Sequence, residues 1–376
     1  MAVKIIKVET KDDLKKFVKF NIDLYKDSPF FVPDIIENEV KMMTKDYNPV
    51  LEDCDYQYFI AYKDERVVGR IAGIINNLSN ETWNSCIARF GFVDFINDNE
   101  VVDELFSAVF SWSKSKGMEV IQGPMGFSNI DKEGVLIKGY DQMGTLSAIY
   151  NYAYYPKQFE RIGFVKNKDW NEYRMTIPNS VPDSIRILSE KIKIKYGIRP
   201  VRISKKQDLE KYINPIFDTI NKAYSFSYGY NALTDRQMEF YTRIYFKYIN
   251  PDYVSIIVRE SDNTVVGFAL TSPNLSNGFR KANGSMFPLG WLHIMKDLKA
   301  KGNDVVDLYM LAVLPEYQNK GITSVIMSDL IPRYVKNGIR YMETNPWVEA
   351  SESIRLQWNY FDKIHHKTRR AYVKLL

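Results

Sequence analysis

The chain has little that would anchor it by covalent or metal chemistry. It has 376 residues but only two cysteines, Cys54 and Cys86, and three histidines. Neither cysteine has a Cys or His at metal-ligand spacing, so neither a disulfide framework nor a metal site is expected, and a reducing, cytoplasmic setting is expected. No apolar run approaches the ~18 residues of a membrane span. The N-terminus is charged from Lys4 onward, so it is not read as a signal peptide, and no membrane partner is expected. Charge of one sign is scarce too: 51 Lys and Arg against 46 Asp and Glu leave a net +5, which is mild at this length and argues against nucleic acid as a partner. The densest basic run, His365-His366-Lys367-Thr368-Arg369-Arg370, reads as a solvated strand end.

What is present is a globular composition, 45% hydrophobic and 26% charged, with 26 Tyr and 21 Phe. Length alone favours two domains. The two halves share an order of elements. In the first, Tyr56–Tyr62 and Arg66–Ile75 read as a hairpin, Val101–Lys114 as an amphipathic helix and Met118–Gln122 as a buried strand. In the second, Tyr253–Arg259 and Thr264–Thr271 form the hairpin. Strand Val305–Val313, helix Ser324–Val335, strand Ile339–Thr344, helix Ser353–Asp362 and strand Arg369–Leu375 follow. Val67-Val68-Gly69 and Val265-Val266-Gly267 occupy the same place in the two return strands. A duplicated unit explains this order, with domains at 1–178 and 183–376 joined by the proline-containing stretch 178–182. Each half carries an insertion, at 123–150 and at 274–303. These are expected to frame an acceptor site, with Phe279, Phe287, Trp291 and His293 lining a pocket.

One connection carries chemistry. The strand ending at Val313 meets Pro315, which cannot extend a central ladder. A polar loop follows, Gln318-Asn319-Lys320-Gly321-Ile322-Thr323, and then a helix. Gly321 permits a sharp turn or close approach to a ligand. The first helical amides lack internal partners and sit at the positive end of the helix dipole, where a pyrophosphate is favoured, and Lys320 adds a cation. The equivalent position in the first half has Asp98 and Glu100 and no Gly, so that half is not expected to bind such an anion.

The segment from Leu311 to Thr323 resembles the acyl-coenzyme A signature of the GNAT (GCN5-related N-acetyltransferase) family: a strand, Pro, then Gln or Arg, two residues, Gly, one residue, and Gly or Ala. Thr323 stands where Gly or Ala is usual. The weaker marker in the first half is Phe159-Glu160-Arg161-Ile162-Gly163-Phe164. The resemblance implies an α/β (α+β) fold of two tandem GNAT-like acyl-CoA N-acyltransferase domains, each a mixed, mostly antiparallel sheet flanked by helices, the first degenerate. It implies acetyl-CoA or another acyl-CoA as co-substrate, no metal, and transfer to a small amine or amino-acid-like acceptor. An aminoacyl-tRNA or long-chain acyl donor, or a non-catalytic coenzyme A-binding module, is the alternative. By position, Leu311 and Val313 would hold pantetheine, and Gln318, Asn319, Lys320, Gly321, Ile322 and Thr323 the pyrophosphate. Tyr360 would be the general acid, Asn345 would hold a pantetheine amide or a water, and Tyr309, Asp307 or Glu343 would supply the base.

Overall fold

The computed structural model describes residues 2–203, 205–225, 230–299, 302–349 and 358–376. The first half runs β1 (Lys4–Lys7), α1 (Lys11–Leu24), α2 (Ile36–Met42), β2 (Cys54–Lys63), β3 (Arg66–Asn76), α3 (Asn77–Thr82), β4 (Ile87–Phe95), α4 (Asn99–Ser115), β5 (Val120–Gly123), β6 (Val135–Lys138), α5 (Tyr154–Arg161) and β7 (Val165–Thr176). The second runs α6 (Asp183–Tyr196), β8 (Ile198–Pro200), α7 (Gln207–Glu210), α8 (Ile213–Tyr224), α9 (Asp235–Tyr245), β9 (Val254–Arg259), β10 (Val265–Pro273), α10 (Ser276–Ala282), α11 (Gly290–Leu298), β11 (Val305–Val313), α12 (Ile322–Lys336), β12 (Tyr341–Thr344), β13 (Trp347–Val348) and β14 (Lys363–Leu375). The duplicated order is therefore β2-β3-β4-α4-β5 against β9-β10-β11-α12-β12.

Local chemistry sets these elements. Thr10 caps α1 by accepting from the Asp13 amide, and Leu14, Phe17, Val18 and Ile22 then bury one helical face. Asp64 and Glu65 adopt positive φ in the turn between β2 and β3. All the strands join one sheet. Its order is β1-β2-β3-β4-β5-β14-β7-β12-β11-β10-β9-β8, with β6 on β14 and β13 on β7. Among the described strands only β4–β5 and β11–β12 pair in parallel, so the sheet is mixed and mostly antiparallel.

The two halves exchange their closing strands. β14, from the end of the chain, lies between β5 and β7 of the first half, while β7 pairs with β12 of the second. This overturns the reading of 365–370 as a solvated strand end. The segment lies mid-sheet, and the Lys367 and Arg369 side chains are each 2% exposed. Buried cations need partners. Arg369 pairs with Glu172, Lys367 Nζ lies 3.5 Å from Glu172 and 3.6 Å from Glu343, and His366 Nε2 lies 2.7 Å from Glu343. The strand also begins earlier than expected, at Lys363. Most of the helix expected at Ser353–Asp362 lies outside the described residues; its last residues, from Trp358, form a turn rather than a helix.

Candidate functional site

β11 splits away from β12. Their parallel ladder ends at the rung Leu308–Thr344. On its other edge β11 carries a bulge: Leu270 faces Met310 but Thr271 faces Leu308, leaving Tyr309 as the extra residue. Leu314 N–H donates to Val266 O. By the alternation of an antiparallel ladder, Phe268–Ala312 is then the next bonded pair, so Leu311 and Val313 turn their backbone groups toward the opened edge. Their carbonyls find side-chain donors there: Tyr224 Oη gives a hydrogen bond of 3.0 Å to Leu311 O, and Gln318 Nε2 one of 3.0 Å to Val313 O. Asn345 Nδ2 donates to Tyr309 O at 3.2 Å and so spans the apex of the fork.

The loop beyond β11 begins with a single turn, Pro315–Tyr317, and then places Asn319 at φ +58° and Gly321 at φ +79°. Gly321 caps the 15-residue helix α12. Its carbonyl is taken by both the amide and the hydroxyl of Ser324. Among the described residues no backbone carbonyl accepts from the amides of Asn319, Gly321 or Ile322. A left-handed turn with uncommitted amides at the start of a long helix suits a pyrophosphate. Lys320 Nζ stands over the rings of Tyr196 and Tyr317, at 5.4 and 6.0 Å. Two details differ from the sequence reading. The Gln318 side chain ties the loop back to β11. A Cβ on Gly321 would lie 2.4 Å from Cδ1 of Ile192 on α6, so packing as well as the positive φ favours glycine there. Thr323 is buried in the first turn of α12.

The fork opens into a cavity of about 770 Å³ with walls from both halves. Tyr309 and Asn345 line it where it meets the fork. α8 and α9 contribute Phe217, Tyr224 and Tyr245, the first insertion Phe127 and Leu146, and the second Leu275 and Phe279. The insertions thus do meet the cavity, but not as expected throughout: Phe287 and Trp291 are 76% and 42% exposed and face outward. Tyr360 is not brought to the site. It sits on the turn before β14, 55% exposed and off the cavity wall, because the neighbouring Trp358 takes the buried position against Trp347.

Titration in and beside the fork is set by burial. Asp307, two residues before Tyr309, is pushed up to about 7 by burial, against the opposing hydrogen bonds from Asn274 Nδ2 at 2.9 and 3.1 Å. Tyr309 is raised well above its ordinary value by burial and then by Asp307, so it stays a neutral donor. Burial also raises Glu343, but the His366 hydrogen bond and the charge of Lys367 outweigh it and the net shift is downward. The first half supplies a polar stretch of wall that sequence reasoning missed: Asp34 paired with Lys132, together with Glu39, Asp131 and Glu133. Burial raises Glu39 and Glu133, the latter to about 7. The available signal was the run Asp131-Lys132-Glu133 inside a glycine-rich insertion.

Comparison with known proteins agrees with this geometry. Residues 216–356 match the Acetyltransferase (GNAT) family. Over 326 residues the chain is 29% identical to Protein YghO of Escherichia coli (strain K12), covering 85% of this chain and 81% of that protein. It is 22% identical over 385 residues to a protein of Caulobacter vibrioides named bacterial ceramide synthase, covering 99% and 97%. A solved tandem GNAT protein from the clavulanic acid biosynthesis pathway superposes with a TM-score of 0.56 over 99% of this chain and 98% of that one, at 9% identity. The chain thus has the tandem GNAT fold, and its match to the acetyltransferase (GNAT) family lies in the second half.

Proposed function

We propose that the chain transfers an acyl group from acyl-coenzyme A to an amine that carries a hydrocarbon chain. The cavity carries this reading. At about 770 Å³ it is near the upper end of small-molecule sites, its lining surface is mainly apolar, and it runs to the apex of the fork. A small amine or amino acid would leave most of that apolar surface unmatched. The relative named a ceramide synthase supports a hydrophobic substrate.

In this reading Leu311 and Val313 offer backbone groups to pantetheine, and the amides of Asn319, Gly321 and Ile322, with the Lys320 side chain, take the pyrophosphate. Asn345 holds the apex open by fixing the Tyr309 carbonyl. Attack of the amine needs a proton acceptor, and departure of the thiolate needs a donor. Asp307, held near 7, is half ionised at neutral pH and takes the proton from the amine through water. Tyr309, held neutral, gives one to the sulfur.

Thiol release by the full chain tests the proposal, with acyl-coenzyme A and either a long-chain amino alcohol or hydrophilic amines such as glucosamine and spermidine. Release with the long-chain acceptor alone is expected. Release only with the hydrophilic amines overturns the acceptor, and absence of coenzyme A binding by calorimetry overturns the donor.

A further inference from the structure

Large apolar side chains on the surface are ordinary when scattered and informative when clustered. Five of them fall within nine residues of the second insertion: Phe287 at 76% exposure, Leu289 at 57%, Trp291 at 42%, Leu292 at 46% and Met295 at 40%. The cluster is built by helix periodicity. Gly290, Ile294 and Leu298 form the inner face of α11. Trp291, Leu292 and Met295 therefore share the outer face, one turn from Lys296 and Lys299. The loop 287–289 extends the patch, and Trp291 Nε1 donates to Pro288 O at 3.2 Å, tying loop to helix.

Charge and position identify the partner. Residues 274–303 contain Arg280, Lys281, Lys296, Lys299 and Lys301 against one acid, Asp297, so this segment carries most of the net +5 of the chain. Asp297 is turned inward, accepting from the Gly278 amide at 2.5 Å. Lys281, Lys296 and Lys299 are exposed and have no ion pair among the described residues. An outward face of Trp, Phe and Leu rimmed by lysine matches an anionic bilayer surface. The same insertion reaches the cavity from its other side: Leu275 and Phe279 line it and pack with Val32 and Ile35 of the first half. No described helix is long and apolar enough to cross a membrane, so contact at the interface is the mode open to this segment.

We propose that α10, α11 and the loop between them dock the enzyme on an anionic lipid surface, setting the cavity wall against the bilayer from which a chain-bearing acceptor enters. The docking stands on the patch itself; its purpose rests on the acceptor proposed above.

The test is co-sedimentation of the full chain with vesicles of phosphatidylcholine alone or of equimolar phosphatidylcholine and phosphatidylglycerol, following tryptophan emission. The wild type is expected to bind the anionic vesicles with a blue shift, and Trp291→Glu with Leu292→Glu to weaken binding roughly tenfold or more. Because both residues are exposed, the variant should keep its melting temperature and its thiol release with acceptor dispersed in detergent, while losing turnover of acceptor embedded in vesicles. Failure of the wild type to bind anionic vesicles, or equal binding by the variant, overturns the proposal. So does a wild-type dimer that the variant disperses in sedimentation velocity, which would make a second copy the occupant. Vesicle binding without thiol release from any long-chain acceptor would sink the functional reading and leave the docking intact.

Discussion

The two halves contain the same fork, and only one is open. In the first half β3 and β4 also lose register, between Arg70 and Ala72, and β4 pairs in parallel with β5 only from Ile87 to Arg89. There the chain after β5 fills the gap. Met125 N–H donates to Phe90 O at 2.9 Å, and Arg89 Nη1 reaches Gly126 O at 3.3 Å. A Cβ on Gly91 would lie 2.1 Å from Met125 O, so glycine lets the plug close. At the following helix Asp98 accepts from the amides of Glu100 and Val101, and Lys63 pairs with both Asp98 and Glu100. In the second half the third rung of the parallel ladder is Asp307–Glu343, where the first half has Arg89–Gln122. No plug follows among the described residues, and no carboxylate caps α12 or stands in its first turn. A duplicated scaffold can therefore keep its bulge and its fork while specialising through what fills the gap and what caps the helix.

The largest effect expected on breaking this contrast lies at Asp307. Its folded pKa, raised to about 7, lies above the ordinary carboxylate value, so the native state holds the proton more tightly. The stability this confers is present at low pH and is lost as pH rises from about 4 through about 7, an amount on the order of 4 kcal/mol for a shift of this size. Asp307→Asn should flatten that dependence and be more stable than wild type at pH 8; an unchanged slope in urea midpoints would remove Asp307 from the account. Next comes Gly321→Val, which forces a β-branched residue to positive φ against Ile192 and should cost about 3 kcal/mol in denaturant unfolding. Adding Ile192→Ala should recover the packing share of that loss and leave the backbone share.

Two smaller tests exchange the character of the helix starts. Asn319→Asp with Lys320→Asp makes the second loop resemble the first and should weaken coenzyme A binding roughly tenfold or more by calorimetry. Asp98→Ala, in the first half, should leave coenzyme A binding unchanged and cost about 1 kcal/mol as a lost cap. A drop in coenzyme A affinity from that variant would mean that both forks contribute.

The hairpins, the repeat and the loop after β11 were legible because each is set by short-range pattern: alternation, a Pro stop, a glycine before a helix. The path of β14 was not. A basic run such as 365–370 has the same local appearance at a solvated edge and at the centre of a sheet, and only the distant carboxylates Glu172 and Glu343 distinguish the two. The same limit misplaced Tyr360, whose register depended on where the last strand starts. Phe287 and Trp291 have the composition of pocket residues, but the inward positions of α11 went to Gly290, Ile294 and Leu298. Glu39 and the polar wall escaped because residues of the first half meet the cavity only through tertiary packing.

The exchange of β7 and β14 bears on how the molecule comes into being. β14 follows every other described strand in the chain, yet it occupies a central place in the sheet of the half made first. Until β14 is made, β5 and β7 lack the neighbour between them, and the first half waits with two unpaired strand edges. Neither half can be excised, replaced or expressed alone without leaving the other a strand short. The element order repeats as two units, but the exchange makes them fold and fail as one.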